Sequence, residues 1–393
     1  MNKSILNTEI QGFINSNLKS DISGLLLKGI PFEGIDSKIV IEQIEAKKRC
    51  EKKLPTWFST KNIYYPNKLN IEQTSSELTA KYKADLVSGK SLIDLTGGFG
   101  IDTYYFSKQI EAVTHCEINA ELSEIVKHNY KVLDVTNITC LNESGIDALK
   151  SIDNQFDWIY IDPSRRDESK NKMFLLSDCA PDVKAFQNLF LDYAKNVMIK
   201  TSPLLDITAT KGDLKHVKQL HVIAVNNEVK ELLWILERDY EGELKIKTIN
   251  ITKSDNENFD FNYSEEPTIE AEFSNPLTYL YEPNSAVLKA GAFSIISSKL
   301  NVHKLHKHSH LYTSNELINF PGRRFKVEKV IPFNKKEFAK SGIKKANVTT
   351  RNFPISVNDI RKKLKIKDGG QSYLFFTTDK TNSKIVIVCS KLM

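Results

Sequence analysis

The sequence predicts an α/β protein: a parallel, doubly wound sheet preceded by a helical region and followed by a small, basic α+β region. Three observations carry that expectation. Between residues 91 and 251, short apolar runs alternate with helix-length amphipathic runs, the pattern of consecutive βαβ units. The first apolar run empties into a glycine-rich turn, DLTGGFGID (94–102), and the second ends in an acid, Glu117. Charge is divided unevenly: residues 266–393 hold 22 Lys/Arg against 10 Asp/Glu, a balance of +12, whereas residues 1–265 hold 33 against 39 and sum to −6.

Taken in order, residues 1–60 read as helical. In IEQIEAKKRCEKKL (41–54), Ile41, Ile44 and Leu54 recur at helical spacing and Pro55 follows as a stop. PTWFSTKNIYYPN (55–67) reads as an aromatic linker. A helix is expected over 74–88, opened by Thr74/Ser75 with Glu77 as a capping-box-like partner. Strands are expected at 91–95, 112–118, 137–142, 157–162, 196–202, 219–227 and 243–251. Helices are expected at 102–109, 121–133, 182–196 and 228–237, and the last strand, after Gly242, is expected to run antiparallel. The acidic stretch 252–275 reads as a boundary. Beyond it lie a helix at 356–365, a turn at Asp368-Gly369-Gly370, and strands at 372–378 and 384–390. The expected division is 1–65 helical, 66–265 the α/β core, and a C-terminal region split at 266–321 and 322–393.

Composition bounds the function classes. Hydrophobic residues make up 40% and charged residues 26%, as in ordinary globular chains rather than disordered ones. No apolar run approaches the roughly 18 residues that a membrane-spanning helix requires. The N-terminal segment lacks the apolar core of a signal peptide. Five scattered cysteines, none in CxxC spacing, argue against a disulfide framework or a zinc site and for a reducing cytoplasm. No membrane partner and no metal are expected.

The glycine turn lets backbone approach a ligand, with helix amides facing it. Glu117 follows Asp94 by 23 residues, where an acid accepts hydrogen bonds from the ribose of an adenosine-type cofactor. A dinucleotide site wants GxGxxG and a pyrophosphate. Here Asp94 and Asp102 flank the glycines and would repel it, whereas they suit a cationic amino acid end. That points to S-adenosylmethionine.

DLTGGFGID, CEIN (116–119) and YIDPSRRD (160–167), in that order, resemble the class I S-adenosylmethionine-dependent methyltransferases. Five further stretches are similar to a bacterial subgroup of that family with a THUMP-like C-terminal domain, whose activity is assigned to RNA. They are NIEQTSSELTAKYKADL (70–86), IKTSPLLDI (199–207), YLYEPNSAVLKAGAF (279–293), FPGRR (320–324) and NVTTRNFP (347–354). The resemblance spans nearly the whole chain. It implies a Rossmann-like methyltransferase core, a ferredoxin-like segment at 266–321 and a THUMP-like RNA-binding domain at 322–393. It also implies that Asp94, Thr96, Gly97, Gly98, Gly100 and Asp102 line the methionine end of the cofactor. Glu117 would bind the ribose, and Ser144 and Gly145 would meet the adenine. Many relatives place an Asp in that last loop. Here it reads Glu143-Ser144, and Asp147 reads as a helix-surface residue.

Ligands of such sheets lie outside the carboxyl ends of the strands, which places Asp162 beside the transferable methyl. Amino-methylating relatives carry Asp/Asn-Pro-Pro-aromatic at this point. This chain reads Asp162-Pro163-Ser164-Arg165-Arg166, lacking the second proline and the aromatic. The carboxylate is expected to orient a nucleophile, so Asp162, Pro163, Ser164 and Arg165 form the candidate catalytic set. The arginines have two readings: stacking on a base or pairing with phosphate, and a surface ion pair with Asp167 or Glu168. Lys200, Thr201, Ser202 and Pro203 end the next strand and either complete the pocket or cap a turn.

His303, His306, His308 and His310 alternate with lysines, which disfavours a cation site. The paired basics Arg323-Arg324, Lys335-Lys336, Lys344-Lys345 and Arg361-Lys362-Lys363, interleaved with Phe325, Phe333 and Phe338, read as an RNA-facing surface. The expected function is S-adenosylmethionine-dependent methylation of a base in structured RNA, tRNA or rRNA. Two alternatives stand beside it: a non-catalytic RNA-binding or assembly protein that retains the fold, and a methyltransferase of a protein or small molecule.

Overall fold

Side-chain caps start the helices that fill the first 84 residues. The computed structural model describes residues 1–152, 154–165, 176–253 and 255–392, with the Arg165 side chain excepted. In it Asn7, Asp21, Asp36, Asn67 and Ser76 accept first-turn amides of the helices Thr8–Ser16, Ile22–Lys28, Ser37–Lys53, Lys68–Gln73 and Glu77–Ala84. Pro55 ends one helix and opens the next, Pro55–Ser59, so the stretch read as a linker begins with a helical turn. The helix expected from 74 starts instead at Glu77. Glu77 closes no capping box: its buried carboxylate accepts from the Thr56 amide at 2.6 Å, the Thr56 hydroxyl at 2.8 Å and the Tyr105 hydroxyl at 2.7 Å.

The chain divides into two compact units, residues 1–217 with 234–240, and residues 218–233 with 241–393. The first contains strands β1 (Gly89–Asp94), β2 (Ile110–Cys116), β3 (Ile138–Leu141), β4 (Phe156–Ile161), β5 (Ser164–Arg165), β6 (Cys179–Ala180) and β7 (Ala194–Thr201). Strands β7, β4, β1, β2 and β3 lie side by side in that order, all parallel. Helices Ile101–Phe106, Ala120–Val132, Gly145–Ser151 and Val183–Tyr193 connect them. The order reverses between β1 and β4, so their carboxyl ends flank a crevice at the topological switch point. Strands β5 and β6 form a separate antiparallel pair, Ser164 opposite Ala180.

Two strands follow, β8 (Val217–Val225) and β9 (Glu228–Glu237). Residues 228–237 were expected to be helical and form a strand. Asn226 and Asn227 both take positive φ, 50° and 65°, as a two-residue hairpin turn demands. Residues 231–236 are buried without interruption, which suits a central strand better than an amphipathic helix.

In the second unit, β10 (Lys245–Ile251) runs parallel to β8, not antiparallel as expected. The antiparallel partner is β11 (Glu257–Asn262), formed inside the stretch read as a boundary. A second sheet contains β12 (Tyr279–Pro283), β13 (His303–Lys304), β14 (Tyr312–Ser314), β15 (Gly322–Pro332), β16 (Lys345–Thr350), β17 (Lys367–Thr378) and β18 (Lys384–Lys391). Their order is β13-β14-β12-β15-β18-β17-β16. Gly369 and Gly370, expected in a turn, sit within β17 at a register shift against β16. Alternation along β17 and β18 sends Phe375 and Ile387 into one core, and Phe376 and Val386 into another. Phe376 packs edge-on against Phe333 and Phe353, with centroids 5.8 and 5.7 Å away. Phe376→Ala is therefore expected to destabilise the chain by about 3–5 kcal/mol, read as a lower urea midpoint; an unchanged midpoint would contradict this packing.

Candidate functional site

The switch-point crevice collects most of the candidate residues. Asp94 ends β1 almost wholly buried. Its carboxylate accepts from the Thr96 amide at 3.0 Å and the Thr103 hydroxyl at 2.6 Å, closing the turn upon itself. Burial pushes this carboxyl up to about 7, its two hydrogen bonds oppose the rise, and the charges of Asp102 and Asp162 add to it.

The turn itself is set by three close contacts. A Cβ on Gly97 would lie 2.2 Å from His115 Nε2, and one on Gly100 (φ +77°) would lie 2.2 Å from the Tyr130 hydroxyl. Tyr130 donates to the Gly100 carbonyl at 2.8 Å. The Gly98 amide donates to Glu117 at 3.0 Å, and Glu117 also accepts from the Asn119 amide at 2.7 Å. His115 is fully buried beneath the turn, and burial pushes its imidazole down to about 4.

Asp102 faces inward. Its carboxylate accepts from the Ser75 and Tyr160 hydroxyls, each at 2.7 Å, and lies 3.0 Å from the ammonium of Lys83, which is fully buried. Burial raises this carboxyl, yet Lys83 and Lys200, with the two hydroxyls, hold it below the ordinary value. Asp94 and Asp102 thus brace the turn from within, and Glu117 is the partly exposed acid at its rim.

Beside Glu117, Ile118 exposes 75% of its surface, an apolar face on the same edge. Sequence reasoning passed over it; the signal was an apolar residue placed directly after the acid in CEIN. Asn142 donates to the carbonyls of Glu117 and Ile118 at 2.8 and 3.2 Å, bringing the next loop alongside. Ser144 starts a helix without a side-chain cap bond. A Cβ on Gly145 would lie 2.2 Å from the Leu95 carbonyl, so this glycine admits the helix against the turn after β1. Asp147 is exposed in the first helical turn.

Across the crevice, the Asp162 amide donates to the Thr96 hydroxyl at 2.6 Å, which fixes the end of β4 to the glycine turn. The Asp162 carboxylate forms a short ion pair with Lys200 from the end of β7. Lys200 is 12% exposed and Asp162 32%. Thr201, next along, accepts from the Trp234 indole at 3.1 Å. Pro163 and Ser164 follow at the rim. The Arg165 side chain, Arg166, Asp167 and Glu168 lie outside the described residues.

The histidine tract does not converge on one point: His303 faces Glu272 at 3.3 Å, His306 bonds Asn382 and Asn352 and lies 5.6 Å from the His308 ring, and His310 stacks on Phe293. Among the described residues no group of three or more His, Cys, Asp or Glu is placed to hold a metal ion, and no helix is long and apolar enough to cross a membrane.

Two outcomes follow from the buried charges. Lys83→Met removes the buried cation that Asp102 contacts and is expected to cost roughly 3–5 kcal/mol. Lys83→Met with Asp102→Asn is expected to recover most of it in urea titrations, and failure to recover would show the pair is not coupled. Because the folded pKa of His115 lies below its unfolded 6.5, its contribution is full above pH 6.5 and lost as pH falls through about 4. Asp94 has the opposite sign: its contribution is present below pH 3.8 and lost as pH rises through about 7. His115→Leu is therefore expected to flatten the acid limb of melting temperature against pH between 6.5 and 4.

Residues 322–391 match the family model of a THUMP domain-like fold, and residues 279–321 that of a ferredoxin-like domain. No protein of curated function matches the chain. The chain is similar to the crystal structure of a candidate methyltransferase from Porphyromonas gingivalis W83, with 31% identity, 100% of this chain and 99% of that one covered, and a TM-score of 0.90. An rRNA methylase from Streptococcus thermophilus shares 12% identity over 41% of this chain and 94% of its own, at a TM-score of 0.32. A candidate methyltransferase from Streptococcus mutans in complex with SAH shares 12% over 41% and 96%, at 0.30. Those two likenesses are too slight to bear on function. With the full-length similarity at 31% and both C-terminal segments matched, the chain belongs to the class I methyltransferases that carry a ferredoxin-like segment and a THUMP-like domain at the C-terminal end.

Proposed function

We propose that this protein transfers a methyl group from S-adenosylmethionine to a base of structured RNA, a tRNA or an rRNA, and that its basic C-terminal region holds the RNA. The observation that carries this reading is the Asp162 carboxylate, tied through its own amide to Thr96 of the glycine turn and steadied by Lys200. The residues at the crevice suit such a cofactor. Glu117 offers a partly exposed carboxylate for ribose hydroxyls, and Ile118 offers an apolar face for adenine beside Ser144 and Gly145. The backbone of Thr96, Gly97, Gly98 and Gly100 forms the cradle for the methionine end, with Asp94 and Asp102 holding its shape.

When bound, S-adenosylmethionine supplies a methyl carried by a sulfonium, so the leaving group needs no acid and positioning dominates the rate. Asp162 then accepts a hydrogen bond from the target N–H, orients the lone pair and takes up the proton as the new bond forms. Lys200 fixes the carboxylate so that it meets the target in one orientation. The five cysteines are free thiols, which suits action on RNA in a reducing cytoplasm.

Asp162→Ala is expected to bind S-adenosylmethionine nearly as well as the wild type in calorimetry and to transfer no methyl group to RNA. Full activity in that variant would remove Asp162 from the site. Absence of cofactor binding by the wild type would favour a non-catalytic RNA-binding role. Nucleoside mass spectrometry of RNA from a deletion strain is expected to show one methylated base missing, and an unchanged profile would count against an RNA substrate.

A further inference from the structure

Three of the sequence stretches that the transfer site leaves unused converge on one carboxylate. Glu282, from YLYEPN in β12, exposes only 3% of its side chain. Arg323, from FPGRR, lies directly opposite it across β12 and β15. Its Nε donates to Glu282 Oε2 at 2.6 Å, and its Nη2 forms a short ion pair with the same oxygen. Arg351, from NVTTRNFP just beyond β16, donates to the other oxygen, Oε1, from Nε at 3.0 Å and from Nη2 at 2.8 Å.

One guanidinium neutralises one carboxylate, and this carboxylate has two. A positive charge is left over, on side chains that stay 38% and 35% exposed. A guanidinium carries five N–H bonds. Glu282 takes up Nε and Nη2 of each arginine, while both Nη1 groups have no partner among the described residues. The Arg323 guanidinium also sits 5.5 Å from the Phe325 ring centroid, which steadies its plane. The free donors are thus held in place before any ligand arrives, so little side-chain entropy remains to be lost on binding. Paired donors on rigid planar cations match an oxyanion with two acceptor oxygens.

We propose that Arg323 and Arg351, braced by the buried Glu282, form a two-guanidinium fork that receives a phosphodiester of the RNA backbone. This rests on the RNA reading above, but it is tested by binding in the absence of S-adenosylmethionine, so loss of grip and loss of transfer are read separately. The probes are unfractionated tRNA and a fluorescein-labelled oligouridylate, titrated over a range of salt.

Arg323→Gln and Arg351→Gln, made singly, each leave Glu282 one counter-charge and are expected to melt close to the wild type. Each is expected to weaken binding several-fold and to lower the slope of log K against log salt by about 0.7–0.9, the share of one phosphate contact. Glu282→Gln separates the fork from a general basic surface. It raises the net positive charge, so a mere patch would bind RNA more tightly, whereas an unbraced fork binds more weakly.

Wild-type affinity and slope in both arginine variants would overturn the proposal, as would tighter binding by Glu282→Gln or no salt-dependent binding by the wild type. In a separate calorimetric arm, inorganic phosphate is expected to give no arginine-dependent heat at millimolar concentration. Arginine-dependent phosphate binding, with RNA affinity unmoved in the variants, would make this a free-phosphate site and sink the RNA assignment.

Discussion

The first unit depends on a buried charge that must be compensated. Asp102 lies in the first turn of the helix after the glycine turn, where an anion suits the exposed amides, yet it is turned into the protein. A lone carboxylate there would be prohibitive, and Lys83, Ser75 and Tyr160 answer it from an N-terminal helix, the loop before that helix, and β4. The buried Asp102 carboxylate therefore ties together the N-terminal helices, the switch-point strand and the glycine turn. The helical N-terminal region is thereby anchored to the glycine turn through Lys83 and Ser75.

The second unit uses a buried carboxylate differently. Asp102 meets one fully buried cation, so charge balances inside and nothing is presented outward. Glu282 meets two cations that remain about one-third exposed, so the balance is deliberately incomplete. The same chemistry, an acid enclosed by basic partners, serves fold integrity in one case and leaves outward donors in the other. What separates the two is the exposure of the cation and the count of partners, and neither is visible as a motif.

Legibility in the sequence followed the range of the interaction. Strands β1, β2, β4 and β7 were readable within a residue or two because alternation and turn chemistry are local. Residues 228–237 were misread because EVKELLWILE carries good helix formers, and the Asn226-Asn227 turn that fixes a hairpin was not weighed against them. β11 was missed because its buried residues, Phe259 and Phe261, sit among acidic neighbours. The glycine turn was legible, but the inward aim of Asp94 and Asp102 was not, since it depends on Thr103, Ser75 and Lys83 arriving from elsewhere. Gly145 reads in sequence like a ligand-contacting glycine, and the fold adds a second demand on it, the tight fit against Leu95. Arg323 read as part of a basic surface, and only the fold reveals that its Nε and Nη2 are committed to Glu282.

The ion pair between Asp162 and Lys200 bears on what the crevice can accept. Lys200 takes Oδ2 of the carboxylate, and Oδ1 has no partner among the described residues. A carboxylate with both oxygens open could hold both hydrogens of an exocyclic amine. With one oxygen committed it offers a single well-directed acceptor, suited to one N–H. On the proposed transfer to an RNA base, Lys200, 12% exposed, sets a positive charge beside that acceptor, which suits a base edge where a carbonyl or ring nitrogen neighbours the N–H. Recognition would then rest on a donor–acceptor pair rather than on an aromatic clamp, consistent with a strand end that carries Ser164 where amino-methylating relatives carry a second proline.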